Sequence, residues 1–341
     1  SITAVEKIST KRGKEVEIKV NEDDELRLSD PLLGAEQLDE WPEEKLRQGM
    51  QKEMESLKSF DVYEETTADK LSAKELKDVI KSRWVLVWKG EDVKARLVAK
   101  GFTQNVSELD LYASTPMLCS LKILLLLAQT RSWRVLFGDV STAFLHARLQ
   151  DDERIFVEPP IEYYPQEKYK AGKDPKHRVL WRLRKALYGL RTAPKQWQDH
   201  FAVILEDLGG ARLKSDPNVY YFAVSGCYLM VYVDDLILLG EDPDALFEKI
   251  EKQVLLKKIG VLTEGATTKF LGRKIRMKEG TIELFMSPNY VLDILEEHGL
   301  RDAKSVVSPG LQSVTTPDAV SALEGKSVSL YRRGVGKCMW M

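Results

Sequence analysis

Apolar residues recur along the chain in two spacings, and the switches between them mark out the elements. Residues 1–38 are charged and weakly patterned, which reads as a flexible leader. Trp41-Pro-Glu-Glu44 then opens a helix with Pro42 in its first turn, and Met50, Met54 and Leu57 form one apolar stripe. After a polar stretch to about Ser82, Arg83–Trp88 and Val93–Ala99 read as strands. In the second, Val93, Ala95 and Leu97 alternate with Lys94 and Arg96, and only Lys89-Gly-Glu-Asp92 separates the two, so a tight hairpin is expected. Ser120–Arg131 reads as a buried helix, Trp133–Phe137 as a strand that delivers Asp139 close to its end, and Thr142–Leu149 as a short helix or turn. Val179–Leu183 is a further strand. Pro194–Leu208 is an amphipathic helix with Trp197, Phe201, Ile204 and Leu208 on one side. Asn218–Val224, Tyr228–Val233 and Leu236–Leu239 read as strands, the last two as a hairpin. A helix over Ala245–Lys257, a hairpin of Lys269–Met277 with Thr281–Met286, and a helix from Asn289 to His298 that stops near Gly299 complete the pattern. Strand, helix and two strands over about 133–239 predict an α+β fold, half of a split βαβ antiparallel sheet. Helices cover one face and the other is left free for a ligand.

Composition narrows the class without naming a function. Of 341 residues, 43% are hydrophobic and 30% charged, enough apolar mass for a globular core. The net charge of -2 announces no polyanion binder, yet residues 168–195 carry 10 basic side chains against the single acid Asp174. Such a stretch is either a solvated basic loop or a local polyanion contact. Cys119, Cys227 and Cys338 are far apart and odd in number, which gives no zinc or disulfide framework and points to a reducing compartment. No apolar run approaches the length of a membrane span, and no signal-peptide pattern opens the chain, so no membrane partner is expected.

The sharpest chemistry lies in Tyr232-Val-Asp-Asp235, where two carboxylates interrupt two apolar strands. Alone, the pair is either a plain turn or a metal site. Asp139 also ends an apolar strand, and a sheet placing it beside Asp234 and Asp235 would make an oxygen-rich site for hard cations. Two magnesium ions about 4 Å apart could there activate a primer hydroxyl and clamp a triphosphate. Phe144 could lie under a sugar and exclude a 2′-hydroxyl, or simply pack in the core. Lys94, Arg96 and Lys100 could hold a triphosphate, or face solvent on a strand. Arg182, Arg184 and Lys185 precede Leu187-Tyr-Gly-Leu-Arg-Thr-Ala-Pro194. Within that segment Tyr188 could line a base or nucleotide pocket, Gly189 allows an unusual backbone or a close approach, and Arg191 and Lys195 could touch backbone phosphates.

These segments, in order, carry a resemblance: Lys94-Ala-Arg-Leu-Val-Ala-Lys-Gly-Phe-Thr-Gln104, Asp139-Val-Ser-Thr-Ala-Phe-Leu-His146, Ile155-Phe-Val-Glu-Pro-Pro160, Ala186-Leu-Tyr-Gly-Leu-Arg-Thr-Ala-Pro194, Tyr232-Val-Asp-Asp235, Phe270-Leu-Gly272 and Tyr331-Arg-Arg-Gly-Val-Gly336. Over roughly 41–341 the chain resembles the reverse transcriptase region of copia-type (Ty1/copia) long-terminal-repeat retrotransposon Pol polyproteins. The resemblance implies a right-hand polymerase. It divides the chain into a leader over 1–38, fingers and the start of the palm over 39–132, and palm with the first carboxylate over 133–147. A basic fingers insertion over 148–185 follows, then palm with the YVDD hairpin over 186–265, and a primer-grip-like hairpin with partial thumb or connection over 266–341. It implies that Asp139, Asp234 and Asp235 are the catalytic, metal-binding carboxylates for two Mg2+ ions, with Mn2+ as a substitute. Lys94, Arg96, Phe144, Tyr188 and Gly189 would contact the nucleotide. Arg182, Arg184, Lys185, Arg191, Lys195, Phe270, Leu271 and Gly272 would contact nucleic acid.

Implied partners are an RNA or DNA template with its primer, deoxynucleoside triphosphates, and the integrase and ribonuclease H parts of the same element. The implied setting is cytoplasmic particles with nuclear entry of the product. Against the family pattern, the fingers hairpin between Trp88 and Lys94 is shortened, the usual glycine, aspartate and phenylalanine pattern is blurred over Asn105–Thr115, and Lys122 stands where arginine is commoner. Two readings follow. One is an RNA-directed DNA polymerase. The other is a catalytically decayed descendant that keeps the palm and binds nucleic acid. A purely structural module would leave three strand-end carboxylates unexplained.

Overall fold

A computed structural model describes residues 4–9, 15–20, 41–104, 111–150, 153–163, 178–306 and 324–340. Most of the basic run, residues 168–177, lies outside these. Within the expected leader, β1 (Ala4–Ser9) pairs antiparallel with β2 (Glu15–Val20).

Helix α1 (Glu43–Ser59) starts after Pro42, which caps it, and Glu43 and Glu44 sit where the helix dipole favours anions. Its stripe packs as the spacing predicts: Leu57 is fully buried, with Met50 and Met54 half-buried beside it. Strand β3 (Tyr63–Thr67) leads to the short helix α2 (Ala73–Lys77), closed by a full Ser72–Glu75 capping box. Strands β4 (Ile80–Lys89) and β5 (Asp92–Ala99) form the tight hairpin, with Lys89 opposite Asp92 and Gly90 at φ +60°. Helix α3 (Leu118–Arg131) and strand β6 (Arg134–Val140) follow. The chain then returns to the hairpin through β7 (Phe156–Glu158) and β8 (Val179–Leu183), giving a mixed five-stranded sheet in the order β3-β8-β7-β4-β5, with β4 and β7 parallel.

Helix α4 (Ala193–Asp207) brings the chain to a second sheet: β9 (Gly210–Arg212), β10 (Val219–Phe222), β11 (Cys227–Tyr232), β12 (Asp235–Gly240), helix α5 (Pro243–Glu251) and β13 (Leu256–Val261). Its order is β13-β6-β12-β11-β10-β9, antiparallel throughout. Helix α5 is shorter than its sequence pattern, because Leu256 and Lys257 pair with Val140 and Asp139 as an edge strand. A short run mixing apolar and charged residues fits either period, and here cross-strand pairing decides.

The expectation of one free sheet face is overturned. Leu136, Val140, Leu236 and Leu238 pack under Trp197, Phe201 and Leu205 of α4 and Leu246, Phe247 and Ile250 of α5. On the opposite face Val135, Phe137, Ile237 and Leu239 pack under Leu121, Leu124, Leu125 and Ala128 of α3. A sheet this apolar on both sides must be covered on both, since each large side chain left wet forfeits about 1.5–3 kcal/mol. Only the strand ends stay open. Helix α3 in turn is buried along one side only, for Ile123 and Leu126 are 58% and 63% exposed.

The last sheet is a meander of β14 (Thr267–Phe270), β15 (Arg273–Lys278) and β16 (Thr281–Phe285), where the sequence predicts two strands. The predicted Lys269–Met277 strand is broken by a turn at Leu271 and Gly272, both at positive φ. Helices α6 (Pro288–Glu297) and α7 (Lys326–Trp340) close the chain, joined by a Glu297–Lys337 ion pair at 2.9 Å. Among the described residues no helix is long and apolar enough to cross a membrane.

Candidate active site

The Tyr232-Val-Asp-Asp235 segment is a two-residue hairpin turn. Tyr232 pairs with Asp235, which leaves Val233 and Asp234 at the tip. Asp235 lies directly opposite Asp139 on β6, and residues opposite one another in a ladder share a face. The Val140 N–H donates to the Asp234 carbonyl at 2.7 Å, tying the tip to β6. Burial raises the Asp234 carboxyl above the usual aspartate range. Its own backbone N–H opposes this, the nearby Asp139 adds to it, and Arg96 and Lys94 act against it. The turn therefore lies within electrostatic reach of the basic side of β5. Among the described residues no three histidine, cysteine or carboxylate side chains are grouped closely enough to cage a metal.

Beside the turn stands a stack. The Arg96 guanidinium lies 5.0 Å from the centre of the Tyr188 ring, and Phe144 meets the same ring edge-on at 5.4 Å. Tyr188 is 9% exposed. Burial lifts its hydroxyl well above the ordinary tyrosine range; Arg96 opposes this, while Glu53, Asp234 and Asp139 reinforce it. Gly189 sits at φ +84°, and a Cβ there would meet the Ala99 carbonyl oxygen at 2.2 Å. The close approach it permits is thus to the chain's own backbone. The Ala99 N–H donates to the Tyr188 carbonyl at 2.7 Å, and the Gly101 N–H to the Gly189 carbonyl at 3.2 Å. This clasp fixes the end of β5 to the loop that carries Tyr188. Lys100 follows on the same strand exit, its N–H bonded to the Lys81 carbonyl.

Two residues that the sequence left without a role also bear on the site. Glu53 is 8% exposed on α1 and accepts the Leu97 N–H at 3.1 Å, bracing β5 next to Arg96; burial pushes its carboxyl up. The signal was present, an acid one position from the apolar stripe. Trp197, placed on the core side of α4, also donates its indole N–H to the Val233 carbonyl at 2.6 Å.

The expected nucleic-acid contacts are placed less uniformly. Arg184 is paired with Asp61 at 2.8 Å and with Glu64 at 2.8 Å, and Arg182 reaches Glu64 at 3.3 Å. Lys185 lies over the Phe60 ring at 5.5 Å, with burial and Arg148 lowering its ammonium. These three line a separate cleft with Arg148 and Glu153. Lys195 pairs with Asp199 one turn along α4, and Arg191 is exposed beside Gln104, which accepts its backbone N–H at 2.9 Å. Phe270 and Leu271 are buried at 2% and 3%, so their side chains belong to the core.

The chain belongs to the reverse transcriptase (RNA-dependent DNA polymerase) family, whose profile matches residues 68–312. More narrowly, it is the reverse transcriptase domain of a Ty1/copia-type retrotransposon Pol polyprotein. It is 31% identical over 312 residues to the retrovirus-related Pol polyprotein from transposon TNT 1-94 of Nicotiana tabacum, covering 86% of this chain and 22% of that one. To the Pol polyprotein from transposon RE1 of Arabidopsis thaliana it is 32% identical over 244 residues, covering 68% and 16%. The chain thus spans between 16% and 22% of the length of these relatives. A solved foamy viral protease-reverse transcriptase dRH in complex with ds DNA aligns at a TM-score of 0.42 and 14% identity, over 75% of this chain and 39% of that one, too distant to carry an argument.

Proposed function

We propose that this chain adds deoxynucleotides to a primer 3′-hydroxyl, copying an RNA or DNA template. The observation that carries the reading is the register that sets Asp139 opposite Asp235, with Asp234 at the tip of the same hairpin and within electrostatic reach of Arg96 and Lys94. Arg96 and Lys94 take the triphosphate; the Arg96 fork suits phosphate oxygens, and Tyr188 holds it from behind. Phe144, against the same ring, takes the sugar side and excludes a 2′-hydroxyl by contact. Magnesium fits this donor set, because it binds through one or two carboxylates with substrate phosphates supplying the rest. Asp139 and Asp234 would hold it, with Asp235 beside them, and Mn2+ could replace it. When bound it neutralises phosphate charge and makes the primer hydroxyl more acidic. In this reading the five-stranded sheet serves as fingers, the six-stranded sheet as palm, and the terminal meander with α6 and α7 as the start of a thumb. Template, primer and deoxynucleotides are the partners, with the element's integrase and ribonuclease H working alongside in cytoplasmic particles before nuclear entry of the product.

A second reading, a decayed copy that binds nucleic acid without extending it, draws on the two-residue β4–β5 turn and on the lack of a three-carboxylate group among the described residues. Primer extension on matched RNA and DNA templates with magnesium separates them. Extension by the wild type and none by folded Asp234→Asn is expected. Binding of primer–template without extension by either would favour the decayed copy.

A further inference from the structure

We infer that Trp197 is a positioning residue that holds the Val233–Asp234 turn in its left-handed form, and so aims the Asp234 carboxylate. Where it concerns synthesis, this rests on the reading above.

The turn needs holding. Val233 sits at φ +54°, a region that a β-branched side chain enters only under strain. Its carbonyl is at the hairpin tip, outside the Tyr232–Asp235 pair, so the β-ladder does not fix it. The Trp197 indole N–H meets that carbonyl at 2.6 Å from the other side of the turn. The indole itself cannot drift. It is 2% exposed and stacked on Phe201 at 4.8 Å and 14°. His146 and His200 flank it at 6.0 and 6.1 Å.

The consequence runs through one planar peptide. The Val233 carbonyl and the Asp234 N–H belong to the same rigid unit and point in opposite directions. Fixing the carbonyl toward Trp197 fixes the plane that leads into the Asp234 Cα, from which the carboxylate projects. An indole in the core thereby sets the direction of a half-buried carboxylate at the turn. A displacement of the order of 1 Å at a reacting group costs roughly 100-fold in rate.

Trp197→Phe keeps an aromatic ring against Phe201, removes the donor, and also leaves the space of the second ring empty. In full-length protein it should lower kcat for single-nucleotide addition about 10-fold or more. KM for the nucleotide and affinity for primer–template should stay within about 3-fold. Amide exchange over 231–235 should quicken. Adding Val233→Asn, whose side chain tolerates positive φ, should restore part of that protection. Leu205→Ala, which opens the same core two turns along the helix and spares the bond and the stack, should leave kcat near wild type. If Trp197→Phe does not fold, benzothienylalanine at 197 supplies the same ring shape without the N–H. Unchanged kcat and exchange in the donor-less protein would overturn the inference, as would an equal loss in Leu205→Ala. If the wild type itself fails to extend a primer, the polymerase reading falls, and the exchange measurements still decide the role of Trp197.

Discussion

The clasp between Gly101 and Gly189 can be taken apart with three alanines, because the chain supplies each physical component separately. Gly209 has φ +90° with nothing within 4 Å of an added Cβ, so Gly209→Ala reports backbone strain alone, about 1 kcal/mol. At Gly101 the φ is ordinary, but an added Cβ would meet the Gly189 carbonyl oxygen at 2.2 Å and the Arg191 nitrogen at 3.0 Å. Both are backbone atoms and cannot swing aside, so the loop must separate from β5. The bonds at 2.7 and 3.2 Å are then lost, each worth about 1 kcal/mol net, for a total of about 2 kcal/mol. Gly189→Ala combines the strain with the collision against Ala99 and should cost about 3 kcal/mol. That is a large part of the roughly 5–15 kcal/mol that holds a typical domain. The double variant should cost less than the sum of the two singles, since both break one contact. Urea unfolding, with midpoints compared at equal slope, measures all four proteins. A Gly189→Ala protein within about 0.5 kcal/mol of Gly209→Ala would refute the clasp.

Two further outcomes follow from the same region. Glu53 titrates above the ordinary glutamate value of 4.5 because it is buried. The folded state therefore holds its proton more tightly than the unfolded one, and the associated stability is present below that value and lost as pH rises through the folded one. Glu53→Gln keeps an acceptor for the Leu97 N–H and should flatten this decline in urea titrations run across mildly acidic to neutral pH; an unchanged slope would count against burial as the cause. Arg96→Lys keeps the charge but gives up the planar stack on Tyr188 and the two-pronged grip, so the KM for deoxynucleotide should rise about 10-fold, with an unaltered KM as the contrary result.

What could be read in advance was what local pattern determines. Val93, Ala95 and Leu97 alternate with Lys94 and Arg96 because β5 is half-buried, and that alternation is visible in any window of the chain. The Val233–Asp234 tip stood out because two carboxylates interrupt apolar strands. Helix α3 shows the limit: its unbroken apolar run does not reveal that Ile123 and Leu126 stay exposed while Leu124 and Leu125 are covered. The Leu271–Gly272 turn was hidden because leucine at φ +50° is no turn signal. Arg182 and Arg184 looked like a free basic patch, and their partners, Glu64 on the neighbouring strand and Asp61 in the turn before it, lie 118 to 123 residues away in sequence. The Trp197–Val233 bond spans 36 residues between a helix and a turn, and no spacing rule announces it. For the ion pairs and the Trp197 bond the deciding partner is distant along the chain.

Asp139 and Asp235, side by side on neighbouring strands, carry a meaning apart from chemistry. Like charges directly opposite in an antiparallel ladder weaken the pairing they sit in. Folding on its own would discard one of them, since an asparagine at either position keeps the shape and removes the repulsion. A sheet otherwise packed with leucine, valine and isoleucine thus harbours at its rim an arrangement that works against its own stability. A lineage drifting free of selection would be expected to relax that conflict early. In the proposed polymerase reading, the rim is kept for its chemistry at the expense of the fold.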